Sequence, residues 1–327
     1  MALVRCIPVT WSALCHVHHL GSTPYLDAWR LQERLAAQIA AGACPATLLL
    51  LEHPHTFTFG RQGRAGNLLW TEAQLTQRGV EVHWVDRGGD VTYHGPGQLV
   101  GYPLLPLGRV QDDGRLPRAD YVGYIRRLEA ALIRALSRFG VVSGQMQGLT
   151  GVWVQPDIAS RCPRCPPAGR LAPAGCCPPG RRPERGPPWP GTPSASLRGP
   201  SAAGASKIPR SSAGPNKDVG APPAARKAPS KIAAIGVKVD ANGVSRHGFA
   251  LNVSPAMSYW EGIIACGLAD YPVISLAELL EQEPPMGEVI EAVVEAFGLE
   301  FGYTMEEADA LDPVDGWEGQ GWHLPLR

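Results

Sequence analysis

Cys266 stands in Ile263-Ile264-Ala265-Cys266-Gly267-Leu268, an apolar stretch closed by a glycine. A free cysteine in such company ordinarily packs as a small hydrophobe. Two other segments point to chemistry instead. Lys231-Ile232-Ala233-Ala234-Ile235-Gly236 places a lysine at the head of an apolar strand, with no carboxylate beside it in the chain. Arg87-Gly88-Gly89-Asp90-Val91-Thr92-Tyr93-His94-Gly95-Pro96-Gly97-Gln98 is a glycine-rich loop with polar donors at its mouth. Together these types supply a thiol nucleophile, a cation to activate it and a backbone that an acyl substrate can approach closely. The thiolate, not the thiol, is the nucleophile, and free cysteine is mostly protonated at neutral pH. A unit positive charge ~4 Å away favours the anion by about 4 kcal/mol at an effective dielectric near 20. The chemistry therefore requires Lys231 to lie beside Cys266 in space.

Other groups compete for these roles. His94 and His247 are candidate partners for a thiol. A histidine in a strand-rich segment is ordinarily a structural hydrogen-bonder, and His94, inside the loop, is expected to shape the pocket. The phosphate-cradling patterns G-x-G-x-x-G and G-x-x-x-x-G-K-[ST] are absent. Cys162-x-x-Cys165 is followed by the adjacent pair Cys176-Cys177, whereas structural zinc sites use two spaced pairs. Cys15, His16, His18 and His19 form a second cluster. No metal is assigned to either.

The elements that position these residues emerge from periodicity. Val17–Leu20 reads as a first strand, and a helix begins at Pro24, taken as its first helical residue. Residues 47–51, 80–85 and 99–105 read as strands. Thr71-Glu72-Ala73-Gln74 and Ser275-Leu276-Ala277-Glu278 read as capping boxes. Residues 120–139 form the clearest helix, stopped by Gly140, and 288–297 form the last. Residues 151–155, 232–239 and 248–253 read as strands, with Asp240-Ala241-Asn242-Gly243 as a hairpin turn. Strands and helices interleave without strict βαβ order, so the fold class is α+β, a mixed sheet flanked by helices.

Composition divides the chain. Residues 156–230 carry 18 of the 32 prolines, with 12 Lys/Arg against 3 Asp/Glu; the remainder holds 18 against 27. So proline-rich a segment cannot bury enough apolar surface to offset its ordering entropy, and it is expected to be a disordered basic insertion. One discontinuous catalytic domain is then expected over 1–155 and 231–304, with 305–327 as a C-terminal extension. Whole-chain net charge is zero, which gives no case for nucleic-acid affinity. No apolar run reaches the ~18 residues that span a bilayer, so no membrane partner is expected. Eight irregularly spaced cysteines do not form a secreted disulfide framework, and a reducing cytoplasm is the expected setting.

In their order along the chain, these segments resemble the lipoate–protein ligase B family of octanoyl (lipoyl) transferases. The resemblance rests on Glu52-His53-Pro54 leading to Phe59-Gly60-Arg61, then on residues 87–98 and Thr150-Gly151-Val152-Trp153-Val154. It continues through residues 231–236, His247-Gly248-Phe249-Ala250-Leu251-Asn252 and Ala265-Cys266-Gly267-Leu268. It implies a biotin/lipoate protein ligase-like catalytic domain with Cys266 as the acyl-thioester nucleophile. Lys231 falls on the lysine that favours the thiolate and acts as acid and base. The acyl pocket falls on Arg87, Gly88, Gly89, Asp90, Val91, Thr92, Tyr93 and His94, on Ala234, Ile235 and Gly236, and on Gly248, Phe249 and Ala250. The implied donor is octanoyl-acyl carrier protein. The implied acceptors are apo lipoyl domains of 2-oxoacid dehydrogenases and the glycine cleavage H protein. No cofactor and no ATP are implied, because the acyl group arrives activated. The departure is the insertion: 75 residues stand between Gln155 and Lys231 where the family has only a few. Three alternatives stay open: an ATP-dependent lipoate or biotin ligase, an amidotransferase moving octanoyl between lipoyl domains, and a binding protein acting through its basic insertion.

Overall fold

Alternation of apolar side chains explains the layering. In β2 (Ala46–Glu52), Leu48 and Leu50 belong to one core and Leu49 and Leu51 to another. A strand turns successive side chains to opposite faces, so β2 must be covered on both. The computed structural model describes residues 13–108, 120–155 and 228–308. In it one face of the main sheet packs on α1 (Tyr25–Ala40) and the other on α3 (Tyr121–Arg138) and α5 (Met286–Phe301).

The remaining strands are β1 (Ala13–Ser22), β3 (Thr56–Phe59), β4 (Glu81–Trp84), β5 (Val91–His94), β6 (Gln98–Leu104), β7 (Ser143–Gly144), β8 (Val152–Val154), β9 (Ser230–Val239), β10 (Ser245–Asn252) and β11 (Tyr303–Glu307). Two short helices, α2 (Glu72–Gln77) and α4 (Leu276–Leu279), complete the elements used below. The main sheet runs β11-β1-β2-β6-β10-β9-β8-β7, with β1 parallel to β11 and β2 and the other pairings antiparallel. A second sheet, β4-β3-β5, has its own core of Phe57, Phe59, Trp70, Val91, Tyr93 and Ile263. The fold is α+β, with mixed sheets flanked by helices.

Local chemistry sets the boundaries. Both capping boxes form, at Thr71 with Gln74 and at Ser275 with Glu278. Pro24 is the N-cap of α1 rather than its first helical residue, because its ψ of 141° is extended. The hairpin from β9 to β10 closes as Asp240 Oδ1 accepts the N–H groups of Asn242 and Val244. β8 pairs antiparallel with β9, Val154 opposite Ser230 and Trp153 opposite Lys231, so the strands flanking the insertion are neighbours. β11 crosses the 304/305 boundary drawn from sequence. The proline-rich segment from 156 to 227, with its four cysteines, lies outside the described residues, as does 309–327. Among the described residues, no helix is long and apolar enough to cross a membrane, and no group of three or more His, Cys, Asp or Glu could hold a metal ion.

Candidate active site

The 3₁₀ turn Ala265–Gly267 presents Cys266 with φ 54° and ψ 18°, the left-handed region. That conformation costs a non-glycine residue about 1–2 kcal/mol. It persists only where the surroundings fix it. Here Gly267 N donates to Ile264 O and Leu268 N to Ala265 O, while Ile264 N donates to Asn67 O at 2.9 Å. Asn67 Nδ2 donates in turn to Asp90, whose carboxylate also accepts the N–H groups of Arg64 and Val91. Gly267 has φ 68°, and a Cβ there would lie 2.9 Å from Asp90 Oδ2. The turn holding the thiol is thus clamped onto the glycine-rich loop.

Lys231 reaches the same point from β9. It is 8% exposed, and its Nζ lies 3.4 Å from Cys266 Sγ. Its backbone bridges to the chain beyond the cysteine: Lys231 N donates to Pro272 O and Ile274 N to Lys231 O. Gly151, at φ 117°, lets β8 approach β9 closely, since a Cβ there would sit 2.6 Å from Ala233 O, and it lies beside the Lys231 stem. The N–H of Gly151 is anchored by the buried carboxylate of Glu129 at 2.9 Å.

Cys266 and Lys231 line one cavity of about 700 Å³. Twelve of the fourteen expected pocket residues line it with them: Arg87, Gly88, Gly89, Asp90, Thr92 and His94 from one segment, Ala234, Ile235 and Gly236 from β9, and Gly248, Phe249 and Ala250 from β10. Val91 and Tyr93 do not. The two-residue period of β5 turns both into the small-sheet core, where each is fully buried. Tyr25, Gln62, Arg64, Asn67, Tyr102, Gly148 and Leu149 also line the cavity and were not singled out from sequence, whereas Thr150 opens the Thr150–Val154 motif. Gln62, Arg64 and Asn67 lie within six residues after Phe59-Gly60-Arg61, which was the available signal.

The polar groups around the cavity are committed. Arg87 is 7% exposed and donates to Thr58 O, Thr58 Oγ1 and Gly88 O. Burial pushes its guanidinium below the ordinary range, opposed by the acidic groups of Tyr25 and Cys266. His94 contacts Gln98 Oε1 at 2.8 Å and Thr58 Oγ1 at 3.3 Å. Gln98 donates to Asn252 Oδ1, and Asn252 to Ile274 O. This chain ties the Arg87 loop to the segment that bridges Lys231. Burial holds His94 well below its usual range and lowers His247 as well. His247 Nε2 lies 2.7 Å from Asp86 Oδ1. Burial opposes ionisation of Asp86, but hydrogen bonds from His247 and Lys238 and the charge of Arg246 outweigh it, holding the carboxyl well below its ordinary value. Among the described residues neither histidine hydrogen-bonds Cys266, and Lys231 is its hydrogen-bond partner.

Comparison with solved structures fixes the class of fold. The chain superposes on the bi-partite lipoate protein ligase from Thermoplasma acidophilum with TM-score 0.53 at 12% identity, covering 92% of this chain and 89% of that one. It superposes on a lipoate-protein ligase A bound with ATP with TM-score 0.51, also at 12% identity and covering 92% and 90%. These are lipoate-ligase-like α+β folds, and at such identities the likeness speaks to fold alone. Sequence goes further. The Lipoyl protein ligase A/B catalytic domain family matches residues 24–298, and the chain belongs to it. An octanoyltransferase of Chloroflexus aggregans is 37% identical over 279 residues, 85% of this chain and 90% of that one. Another, from Rubrobacter xylanophilus, is 34% identical over 278 residues, 85% and 89% of the two chains. The chain is an acyltransferase of this kind.

Proposed function

We propose that the protein transfers an octanoyl group from octanoyl-acyl carrier protein, through a Cys266 thioester, to a lysine of lipoyl domains. The 3.4 Å approach of Lys231 Nζ to Cys266 Sγ at one cavity carries this reading. The ammonium stabilises the thiolate, which attacks the thioester carbonyl. The carrier's sulfur leaves and takes up a proton, supplied by Lys231. The acyl-enzyme keeps the energy of the donor, because one thioester replaces another. The acceptor's neutral ε-amine then attacks the same carbonyl. Its proton passes to Lys231, the amide forms, and Cys266 leaves as thiolate. The amides of Gly267 and Leu268 close their own turn and are not free to bind the oxyanion. Phe249, Ala234, Ile235 and Ala250 offer apolar surface to the chain, whose six methylenes contribute roughly 5 kcal/mol if all are buried.

The acceptors on this reading are apo lipoyl domains of 2-oxoacid dehydrogenases and the glycine cleavage H protein. The setting is the reducing cytoplasm, where Cys266 stays a free thiol. Intact-protein mass spectrometry after mixing with octanoyl carrier tests the intermediate. An octanoyl adduct is expected on the wild type and none, as a thioester, on Cys266→Ser. An unchanged hydroxylamine-labile adduct on Cys266→Ser refutes the nucleophile. Pyrophosphate release with free octanoate and ATP would assign the chain to the ligases instead.

A further inference from the structure

Lys231 Nζ has a second neighbour besides the sulfur. It sits over the face of the Trp153 ring, 4.8 Å from the centroid. Among the described residues it forms no ion pair with a carboxylate. Trp153 is fully buried, and its place is set by register: it pairs with Lys231 across β8 and β9, at an irregularity between Val152 and Trp153. Tyr271 packs against it edge to face at 5.3 Å. Its indole Nε1 is buried with no hydrogen-bond partner among the described residues. A buried N–H left unmatched is a standing cost that a phenyl ring would avoid. What the indole offers over a phenyl is the strongest ring face for a cation.

We propose that Trp153 is a positioning residue, whose ring face holds Lys231 as an ammonium ion against Cys266. The inference rests on the Cys266–Lys231 reading above. The ring acts wherever Nζ carries its proton. Before acylation it holds the ammonium beside the thiolate; after acylation Lys231 is a neutral amine, and the ring face favours the ammonium that forms as it takes the acceptor's proton. A carboxylate in that place would compete with the thiolate for the ammonium; a neutral quadrupole attracts the cation without adding a charge.

Site-specific replacement of Trp153 by mono-, di- and tetrafluorotryptophan tests this. Fluorine drains the ring face while nearly preserving shape. The readouts are iodoacetamide alkylation of Cys266 across pH and the single-turnover rate of acyl transfer to a lipoyl domain. Both rates are expected to fall stepwise with fluorination, by about tenfold overall, the order set by a desolvated cation–ring contact. The alkylation profile should move to higher pH while the thermal midpoint stays in place. Trp153→Phe should recover part of the rate lost in Trp153→Leu. A flat series with an unmoved alkylation profile overturns the proposal and leaves the ring as packing. Lys231→Met separates the two levels. If it leaves the profile unchanged, the Cys266–Lys231 reading itself fails; if it shifts the profile and fluorination does not, only the role of Trp153 falls.

Discussion

Replacing Lys231 with methionine removes one charge and keeps most of the side-chain volume. Methionine is likewise unbranched and can follow the path of the lysine stem past Gly151. At 3.4 Å, attraction between ammonium and thiolate amounts to about 5 kcal/mol at an effective dielectric near 20. Lys231 is 8% exposed but Cys266 is partly exposed, so solvent screening takes back part of it. Water entering the variant's site and residual attraction to Arg87 return part. A loss of at least about a hundredfold in acyl-enzyme formation at pH 7 is therefore expected, of the three to four decades that the full Coulomb term allows. Quenched-flow mixing with octanoyl carrier, read by intact mass, measures the step directly. Raising the pH should recover much of the variant's rate, since hydroxide then makes the thiolate that the ammonium no longer favours. Circular dichroism and a thermal melt show whether the variant is folded. A folded variant forming acyl-enzyme within about threefold of wild type at pH 7 would refute the electrostatic argument.

Three further outcomes follow from the geometry. Gly267→Ala places a Cβ at φ 68° and 2.9 Å from Asp90 Oδ2; about 1–2 kcal/mol of strain plus a displaced Asp90 should slow transfer tenfold or more while the melt moves by only a few degrees, and unchanged kinetics would disconnect the turn from the reaction. Stability should decline in acid. His53 is held at about 4 by burial, despite its bond to Thr23 O, so both states are neutral above pH 6.5 and the unfolded chain alone takes the proton below it. Denaturant titrations between pH 7 and pH 4 should lose about 3 kcal/mol from His53, with His94 and His247 adding in the same direction; a flat profile counts against buried neutral imidazoles. Replacing 156–229 with a short turn should leave transfer within a few-fold of wild type at low and high salt, and a collapse of the rate would give the segment a direct role.

Local signals were legible and register was not. The capping boxes at Thr71 and Ser275 were readable because a hydroxyl, three positions and a carboxylate or amide define them. The hairpin was readable because a glycine, Gly243, takes the positive φ its turn requires. β5 was legible in principle: Val91, Thr92, Tyr93 and His94 alternate core and cavity, as the two-residue period requires. Taking the whole loop as pocket concealed that alternation and misplaced Val91 and Tyr93. β11 has an apolar face of only two residues, Tyr303 and Met305, packed on the main core at the sheet's edge, too short a pattern for periodicity to reveal. Tyr102 was hidden within an apolar strand, where a ring reads as core filler. The approach of Lys231 to Cys266 joins residues 35 positions apart on different elements, and spacing alone does not encode it.

The insertion shows which interaction decides the site. Even a fully flexible connection of 75 residues costs only about 2.5 kcal/mol more to close than one of a few residues, because the cost grows with the logarithm of length. Against it stand Val152, Trp153 and Val154 on β8 and Ile232 and Ala233 on β9, all fully buried. Each large side chain among them contributes about 1.5–3 kcal/mol on burial. Pairing of β8 with β9 therefore wins by a wide margin. That pairing places the Trp153 ring beside Lys231, and the bonds from Lys231 to Pro272 and Ile274 then set the lysine's distance from the cysteine turn. The Lys231–Cys266 geometry is thus a consequence of strand burial rather than of chain proximity, which is why a long intervening segment leaves the pair 3.4 Å apart.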